Sequence, residues 1–391
     1  MAKYKLGDIC EIVGGSTPKS DIADYWNGDI KWITPAELTD ESYIVNDTVR
    51  KITELAVQKT GLTPFPAGTV ILSSRAPIGK VAIAGCQMYC NQGFKNLICS
   101  DVINNRYLYW FLKGKNEYLN SLGRGATFKE ISKQIVASIE INVPPLEKQL
   151  QIVEQLEKIN KIITIRKQEV ADFDTLIKAR FVEMFGDPEI NPNGWQKVSI
   201  SEIICGKASN GYFAKREEYV EDGNVAILGV AYIVNRMYAQ VEGLPRTNAT
   251  SVDIQKHKVK YGDMLFCRSS LVAEGIGKAS IVPKDVPEDT LFECHVIRIP
   301  LDLEKCIPEF VQVLSSTDYF RKQMIAQSKT ATMTTIGQDG ILKAIIILPP
   351  IERQRDFYTI VKRVEKSKAA VQQALAESQL LFDSLMQKYF G

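Results

Sequence analysis

The chain has 391 residues, and at roughly 150 residues per domain this length predicts two or three domains. Hydrophobic residues make up 45% and charged residues 24% of the sequence, which is the composition of an ordinary globular protein. The 48 basic and 46 acidic side chains give a net charge of +2, so any nucleic-acid surface must be created locally by folding. No apolar run approaches 18 residues and the N-terminal segment lacks an apolar core, so no membrane partner and no secretory signal are expected.

The eight cysteines are scattered along the chain. The only close pair, Cys86 and Cys90, has no second pair at the spacing of a zinc site. We therefore expect reduced thiols, no metal and a cytoplasmic location.

An internal repeat is the strongest signal in the sequence. Ile139–Gln149 (IEINVPPLEKQ) matches Ala344–Gln354 (AIIILPPIERQ) at an offset of 205 residues. Nearer the start of each half the offset is 194, as between Gly68–Leu72 and Gly262–Phe266. Each half is therefore predicted to be a globular portion of variable length followed by a constant portion, which indicates a duplicated unit.

The constant portions have the periodicity of long helices, and each follows a Pro-Pro pair, a position that suits a helix start. Leu146 to Met184 would span about 58 Å as a helix. Polar residues interrupt the heptads at Arg166 and Arg180 in the first helix and at Lys368 and Ser378 in the second. We expect the two helices to pack on each other, although packing of each helix on its own globular portion is the alternative. The apolar seam is formed by Ile152, Leu156, Ile159, Ile163, Val170, Phe173, Ile177, Phe357, Val361, Val364, Val371, Leu375, Phe382 and Leu385.

The sequence patterns of the globular portions predict mixed α/β structure with many short strands. Gly68–Ala84 predicts two strands around a turn at Ala76–Gly79, and Gly262–Val282 repeats that pattern. Arg106–Leu122 and Pro308–Ala326 predict amphipathic helices. The predicted domain limits are 1–143 and 187–348 for the globular portions, and 144–186 and 349–391 for the long helices.

No constellation in the sequence predicts catalysis. The two histidines, His257 and His295, both lie in the second half and are expected to be structural. The Gly-Lys pairs at Lys80 and Lys278 lack the upstream glycine of a phosphate-binding loop. We expect no catalytic residue and no cofactor bound by this chain.

Two similar globular portions held by paired helices suit a DNA duplex, whose half-sites are related by a two-fold axis. Polar and basic loop residues are the natural readers of bases and phosphates. Gly79 and Gly277 are expected to form turns rather than contacts. The candidate DNA-binding residues are Thr17, Lys19, Ser74, Arg75, Lys80, Asn91, Gln92, Arg124 and Thr127 in the first half, and Asn210, Tyr212, Lys215, Arg216, Arg268, Ser269, Lys278, Lys329 and Thr330 in the second.

With these motifs the sequence resembles the specificity subunits of type I restriction–modification enzymes over essentially its whole length. The second half lacks counterparts of the Trp32–Pro35 and Asn91–Phe94 motifs, so its DNA half-site is expected to differ. The segments that carry the resemblance are Leu6–Pro18, Trp32–Pro35, Ser73–Lys80, Asn91–Phe94, Pro144–Gln149, Pro349–Gln354, Met184–Pro188 and Asn191–Trp195.

The resemblance implies two target recognition domains, each binding one half of a split, asymmetric double-stranded DNA sequence. It implies that the long helices form an antiparallel coiled coil that sets the gap between the halves. It also implies two DNA methyltransferase subunits as partners, which use S-adenosylmethionine, and further restriction subunits that use ATP and Mg²⁺.

Three other readings are open at this stage. A stand-alone DNA-binding protein would bind its site tightly without a methyltransferase. A scaffold with duplicated domains would show no salt-dependent DNA binding, whereas a DNA reader loses affinity as salt rises. A fused methyltransferase or nuclease would show turnover by the isolated chain.

Overall fold

The computed structural model of the protein describes residues 2–125, 129–330 and 332–391, and it divides into two compact units. Unit 1 comprises Met1–Lys167 and Gln373–Gly391, and unit 2 comprises Gln168–Gln372. Each unit therefore combines one globular portion with a part of each long helix. The domain limits at 143, 186 and 348 stay a prediction.

The strands of the two halves follow one plan. In the first half they are β1 (Ala2–Lys5), β2 (Cys10–Val13), β3 (Trp26–Ile33), β4 (Ile44–Val45), β5 (Lys51–Ile52), β6 (Val70–Leu72), β7 (Val81–Ala84), β8 (Tyr89–Cys90), β9 (Asn96–Cys99) and β10 (Glu140–Val143). In the second half they are β11 (Gln196–Ser199), β12 (Ser209–Asn210), β13 (Val225–Leu228), β14 (Arg246–Thr247), β15 (Met264–Cys267), β16 (Ser269–Ser270), β17 (Ala279–Ile281), β18 (Leu291–Phe292), β19 (Val296–Ile299), β20 (Lys329–Thr330), β21 (Thr334–Thr335) and β22 (Ile345–Leu348).

The helices include the two long ones that the heptad pattern predicts. Short 3₁₀ turns at Pro35–Glu37 and Val230–Tyr232 occupy corresponding places in the two halves. The α-helices are α1 (Leu6–Ile9), α2 (Glu54–Thr60), α3 (Asn105–Gly114), α4 (Asn116–Ser121), α5 (Lys133–Ser138), α6 (Leu146–Phe185), α7 (Ser251–His257), α8 (Pro308–Ser315), α9 (Asp318–Ala326), α10 (Gln338–Leu342) and α11 (Ile351–Phe390).

Sheet topology confirms the internal repeat. The five-stranded sheet of unit 1 has the order β2-β9-β6-β7-β4, and the four-stranded sheet of unit 2 has the matching order β12-β19-β15-β17. The three-stranded sheets β5-β3-β8 and β14-β13-β18 also correspond, and each contains one parallel pair. The pairs β1-β10 and β11-β22 join the start of each half to its last strand. A common backbone therefore carries different side chains in the two units.

Aromatic side chains connect the long helices to the globular core within each unit. In unit 2 the ring of Phe185 lies 4.9 Å from Phe310 and 5.5 Å from Phe357. In unit 1 the ring of Phe390, the counterpart of Phe185 at the 205-residue offset, lies 5.1 Å from Tyr107. Burying rings of this size is a large apolar contribution to stability. Each long helix therefore ends inside a hydrophobic core.

A buried glutamine fixes the start of each long helix. The side chain of Gln149 accepts a hydrogen bond from the backbone N–H of Asn104 at 2.8 Å and donates to the carbonyls of Val102 and Pro144. Gln354 accepts from the N–H of Ile307 at 2.9 Å and donates to the carbonyl before its own helix. Both glutamines are fully buried, so the repeated Gln of the Pro-Pro motif ties each helix to the core.

The two long helices run antiparallel inside each unit. In unit 1, Tyr389 donates a hydrogen bond to Gln155, and Arg166 contacts Ser378 and the carbonyl of Ala374. In unit 2, the ammonium of Lys368 pairs with Asp174. All fourteen predicted seam residues are buried or half-buried, so the helices pack on each other as expected.

One polar seam position was predicted wrongly. Arg180 is exposed and pairs with Glu183 on its own helix, because its neighbour Phe181 takes the buried position. Phe181 packs 5.5 Å from Phe310, which displaces the heptad register at that end of the helix.

Candidate nucleic-acid interface

In unit 1, three segments that are distant in sequence meet at the end of β6. The N–H of Ser74 donates to the carbonyl of Gly93 at 2.7 Å, and the N–H of Ile131 donates to the carbonyl of Ser74 at 2.9 Å. The chain segment after β6 therefore lies between the loop at residues 91–94 and the segment at residues 129–131. The prediction of Ser74 as a DNA contact is corrected, because its side chain is fully buried in this arrangement.

The next residue, Arg75, belongs to a compact charged group. Its Nε atom donates to Oε2 of Glu130 at 2.9 Å, and the ammonium of Lys95 lies 3.0 Å from the other carboxylate oxygen. Burial opposes ionisation of this carboxyl group, but the hydrogen bonds from Lys95 and Arg75 hold the pKa of Glu130 below its usual value. The backbone of Arg124 also pairs with Glu130, so an exposed second arginine stands beside the group.

A second loop reaches this surface because a glycine lies against a strand. A Cβ atom on Gly15 would lie only 1.9 Å from the carbonyl oxygen of Cys90, so no other residue fits without a backbone shift. The loop that follows exposes Thr17 and Lys19, and the hydroxyl of Thr17 donates to Gln92. Thr17, Lys19 and Gln92 are therefore neighbouring exposed groups, as predicted for a binding surface.

The loop at residues 91–94 and the segment that carries Arg75 border an open cleft of about 630 Å³. Its walls include Thr34, Pro35, Arg75, Asn91 and Glu130. Asn91 is half-buried, and its Oδ1 accepts from the N–H of Gly93, while its amide N–H₂ has no acceptor among the described residues. Guanidinium, amide and carboxylate groups at one cleft are the side-chain types that read base edges in DNA.

Unit 2 repeats this frame with different side chains. The N–H of Arg268 donates to His295, and its carbonyl accepts from Ile336, so Arg268 occupies the place of Ser74 and not that of Arg75. The guanidinium of Arg268 donates to the carbonyl of Cys294 at 3.1 Å. Ser269 then takes the place of Arg75.

The small sheet β16-β21-β20 completes the surface of unit 2. Ser269 and Lys329 both pair with Thr335, as Arg75 and Arg124 both pair with Glu130 in unit 1. Lys329 and Thr330 are exposed. The charged group of unit 1 is thus replaced by hydroxyl groups and one lysine.

The loop after β12 corresponds to the Thr17 loop. A Cβ atom on Gly211 would lie 2.1 Å from the carbonyl oxygen of Glu293, which repeats the close approach of Gly15. Asn210, Lys215 and Arg216 are exposed. Tyr212 is half-buried, and its hydroxyl donates to the carbonyl of Asn248 at 3.3 Å, so it shows only part of its ring.

The ammonium groups of two predicted lysines form hydrogen bonds within their own units. The ammonium of Lys80 donates to the carbonyl of Leu38, and that of Lys278 to Asn235. Gly79 and Gly277 have positive φ values of 88° and 64°, as expected for turn formers. Thr127 lies outside the described residues.

The structure also corrects the expectation that two motifs of unit 1 lack counterparts. Trp32 and Ile33 pair with Tyr89 and Cys90, as Ile227 and Leu228 pair with Leu291 and Phe292. The places of Trp32–Pro35 and Asn91–Phe94 are therefore occupied by Ile227–Val230 and Glu293–Val296. The backbone pairing is retained while every side chain at these places changes, which hid the correspondence in the sequence.

Sequence analysis missed the acidic members of both surfaces. Glu130 joins the surface through its pairing with Arg75 and Arg124, and Glu293 through its pairing with Tyr212. Oε1 of Glu293 accepts from the N–H of Val230 at 2.7 Å. The one sequence signal for Glu130 is the repeat itself, which aligns it with Thr335.

Three further features of the chain bear on chemistry and on membranes. His257 is buried beside Tyr212 and Phe292, and burial lowers its pKa, which fits a structural role. Among residues 2–125, 129–330 and 332–391, no cluster of three or more His, Cys, Asp or Glu side chains could ligate a metal. Within the same residues, no helix combines the length and apolar character needed to span a bilayer.

A duplicated fold with corresponding polar loop surfaces defines a two-part recognition protein built on an antiparallel helix pair. Residues 1–172 match the family model described as the type I restriction modification DNA specificity domain. The chain is 30% identical over 380 residues to the type I restriction enzyme MjaIX specificity subunit of Methanocaldococcus jannaschii, covering 92% of this chain and 85% of that protein. It is 24% identical over 351 residues to the EcoKI specificity subunit of Escherichia coli, covering 81% and 72%.

Two solved structures have the same fold. The S subunit of a type I restriction–modification system from M. genitalium superposes with a TM-score of 0.59 at 12% identity, covering 100% of this chain and 96% of that chain. A chain from a study of type I restriction–modification complex assembly gives a TM-score of 0.57 at 18% identity, covering 100% and 97%. The chain belongs to the family of type I restriction enzyme specificity subunits. It is a non-catalytic subunit that supplies DNA sequence recognition to a restriction–modification complex.

Proposed function

We propose that each unit recognises one half of a two-part, asymmetric DNA sequence. The observation that carries this proposal is the shared backbone frame with unlike side chains, of which Arg75 with Glu130 against Ser269 with Thr335 is the clearest case. Unlike side chains at equivalent positions favour unlike base sequences, because direct readout depends on donor and acceptor patterns. The two half-sites therefore differ.

The long helices determine the number of unread base pairs between the half-sites. The antiparallel contacts of Arg166 with Ser378 and of Lys368 with Asp174 support a stiff helix pair that keeps its register. A helix changes length by 1.5 Å per residue, so a heptad is worth about 10 Å, or roughly three base-pair steps of duplex.

The helices and globular portions also dock two DNA methyltransferase subunits, and the complex can add restriction subunits. S-adenosylmethionine, ATP and Mg²⁺ act on those partners rather than on this chain. One of the solved relatives comes from work on assembly of such a system, which supports an assembled complex as the working form. The complex acts on chromosomal and invading DNA in the cytoplasm of a prokaryote.

The decisive experiment maps methylated adenines across the genome of cells that express this chain with its cognate methyltransferase. A split motif is expected, and deletion of either globular portion should abolish it. An intact co-purifying complex with no methylated motif would contradict the proposal. Tight specific binding by the chain alone would instead favour a stand-alone DNA-binding protein.

The helix proposal has its own test. Removing 166–172 and 371–377 deletes one heptad from each helix at matching levels of the antiparallel pair. Both half-sites should persist while the gap shortens by about three base pairs. An unchanged gap would exclude the helices as the determinant, and deleting one heptad from a single helix serves as the mismatched control.

A further inference from the structure

Unit 2 contains a strongly basic cavity of about 360 Å³ between its globular portion and its parts of α6 and α11. The wall carries five cations and a single carboxylate, which come from Lys178, Arg236, Lys278, Arg321, Lys368 and Asp174. Side chains of one charge around a recess concentrate the electrostatic potential and attract the opposite charge.

Most of this positive charge is not neutralised within the described chain. Asp174 pairs with Lys368, which is also 4.0 Å from Glu365. Lys278 donates to the neutral amide of Asn235 at 2.8 Å. Among the described ion pairs none involves Lys178, Arg236, Lys278 or Arg321, so four cations face the cavity without a carboxylate.

Arg321 shows the need for an acceptor most directly. Its Nη2 donates to the carbonyl of Glu274 at 2.9 Å, while its Nη1 is buried and finds no hydrogen-bond partner among the described residues. A buried donor without an acceptor is unfavourable, and a guanidinium prefers a bidentate oxyanion. Burial also lowers the pKa of Arg321, which is the expected effect of removing a cation from water.

The corresponding place in unit 1 keeps only part of this charge. Arg236 corresponds to Ser42. The carbonyl of Arg236 accepts a hydrogen bond from Gln312, and the carbonyl of Ser42 accepts the equivalent bond from Tyr109. Lys278 corresponds to Lys80 through the turn that each closes. On the long helices, where the 205-residue offset holds, Lys368 and Lys178 correspond to Ile163 and Asp383. The basic cavity is therefore a property of unit 2 and not of the shared frame.

The cavity adjoins the predicted base-reading loop. Arg321 holds the carbonyl of Glu274, which lies in the short turn following Ser269 and Ser270. We propose that this cavity binds a phosphate group of the DNA backbone next to the half-site that unit 2 recognises. The inference rests on the proposed function and adds to it one phosphate anchor that unit 1 does not have. Such a contact strengthens and orients binding without reading sequence.

The test compares the wild-type complex, containing the methyltransferase subunits, with the double variant R236Q/K278Q. Affinity is measured across a salt series for a duplex carrying the mapped target and for a scrambled duplex. We expect roughly tenfold weaker binding of both duplexes and a slope of log affinity against log salt that is smaller by about one. The matched control is Lys80→Gln in unit 1, which should leave the slope unchanged.

Other outcomes separate the alternatives. An unchanged slope, or a loss confined to one base position, would overturn the phosphate assignment. Inorganic phosphate is also titrated into the full chain, wild type and variant. If phosphate binds wild type but not the variant, and the salt slope for DNA is the same in both, the cavity is a site for free phosphate. That result would also overturn the assignment to DNA. If the thermal midpoint shows that the double variant does not fold, the single variant Lys178→Gln, at an exposed helix position, replaces it. The same weaker binding and smaller salt slope are expected for that variant. A wild-type complex that does not distinguish target from scrambled DNA would instead contradict the proposed function.

Discussion

Nε of Arg75 donates a hydrogen bond of 2.9 Å to Oε2 of Glu130, and the backbones of these two residues also pair in a β-bridge. At the equivalent pair of positions in unit 2, Ser269 lies opposite Thr335. The guanidinium bonds to Glu130 through Nε, so within the described residues its two terminal nitrogens are available for a base. Fixing an arginine by a carboxylate reduces the entropy lost when it contacts DNA. This pair is the sharpest chemical difference between the two recognition surfaces.

The first prediction concerns this pair. Arg75→Ala should relax recognition at one position of a single half-site by about 1–3 kcal/mol, because a bidentate arginine contact discriminates against the wrong base by that amount. The methylated motif of the variant, compared with wild type, measures the effect. The matched control is Ser269→Ala, which should leave the half-site of unit 1 unaltered. A uniform loss of affinity for all DNA sequences would reassign Arg75 to a phosphate contact. The same comparison for Arg268→Ala tests recognition by unit 2.

The second prediction concerns the glycine that lies against a strand. Gly15→Ala should disrupt the Thr17 loop and abolish one half-site, because its Cβ atom would collide with the carbonyl of Cys90. Gly14→Ala is the matched control, since its Cβ atom would lie 3.6 Å from the nearest atom, the carbonyl oxygen of Phe94, which is ordinary contact. The readout is the methylated motif together with the thermal midpoint. Equal behaviour of the two variants would show that the close approach does not position the loop.

The third prediction concerns the buried glutamines. Gln149→Leu should destabilise unit 1 by roughly 1–3 kcal/mol, because it leaves the carbonyl of Pro144 buried without a partner and removes the bond from the N–H of Asn104. Gln354→Leu should act similarly on unit 2. Thermal or denaturant unfolding measures both, and the exposed Gln151→Leu provides the control. A wild-type midpoint in both variants would exclude the glutamines as the ties between helix and core.

The fourth prediction is a pH dependence that arises from Asp263. Burial raises the pKa of this carboxyl group to about 6, while the backbone N–H of Lys260 and the guanidinium of Arg298 act in the opposite direction. Because the folded pKa exceeds the unfolded value of about 3.9, the folded state binds more protons between these values. Protonation therefore stabilises the fold as the pH falls from about 7 towards 4, and the buried charge destabilises it above about 6.

The measurement compares wild type with Asp263→Asn, whose side chain stays neutral. The stability of wild type relative to this variant should rise as the pH is lowered from 7.5 to 5. Asp302→Asn, at a less buried carboxylate of the same unit, is the control. A constant difference in thermal midpoint across this range would contradict the raised pKa.

The internal repeat and the long helices were determined by the sequence itself. Helix periodicity is local, because residues three and four apart share one face, and so the seam from Ile152 to Leu385 could be predicted without knowing any partner. The Pro-Pro motif marked where both helices begin, and the repeated glutamine four residues further on did the same. The family resemblance followed from these repeated motifs.

The composition of the recognition surfaces was decided only by tertiary structure. Whether Ser74 is buried and Arg75 only half-buried depends on which segments pair beside them, and those partners lie tens of residues away. The 194-residue offset of the repeat aligns Arg268 with Ser74, but only the packing around each position makes Ser74 buried and Arg268 half-buried. Glu130, Glu293 and the basic cavity around Arg321 likewise exist only after distant segments are brought together. Local sequence spacing carries the period of a helix, but it does not carry the register of a sheet.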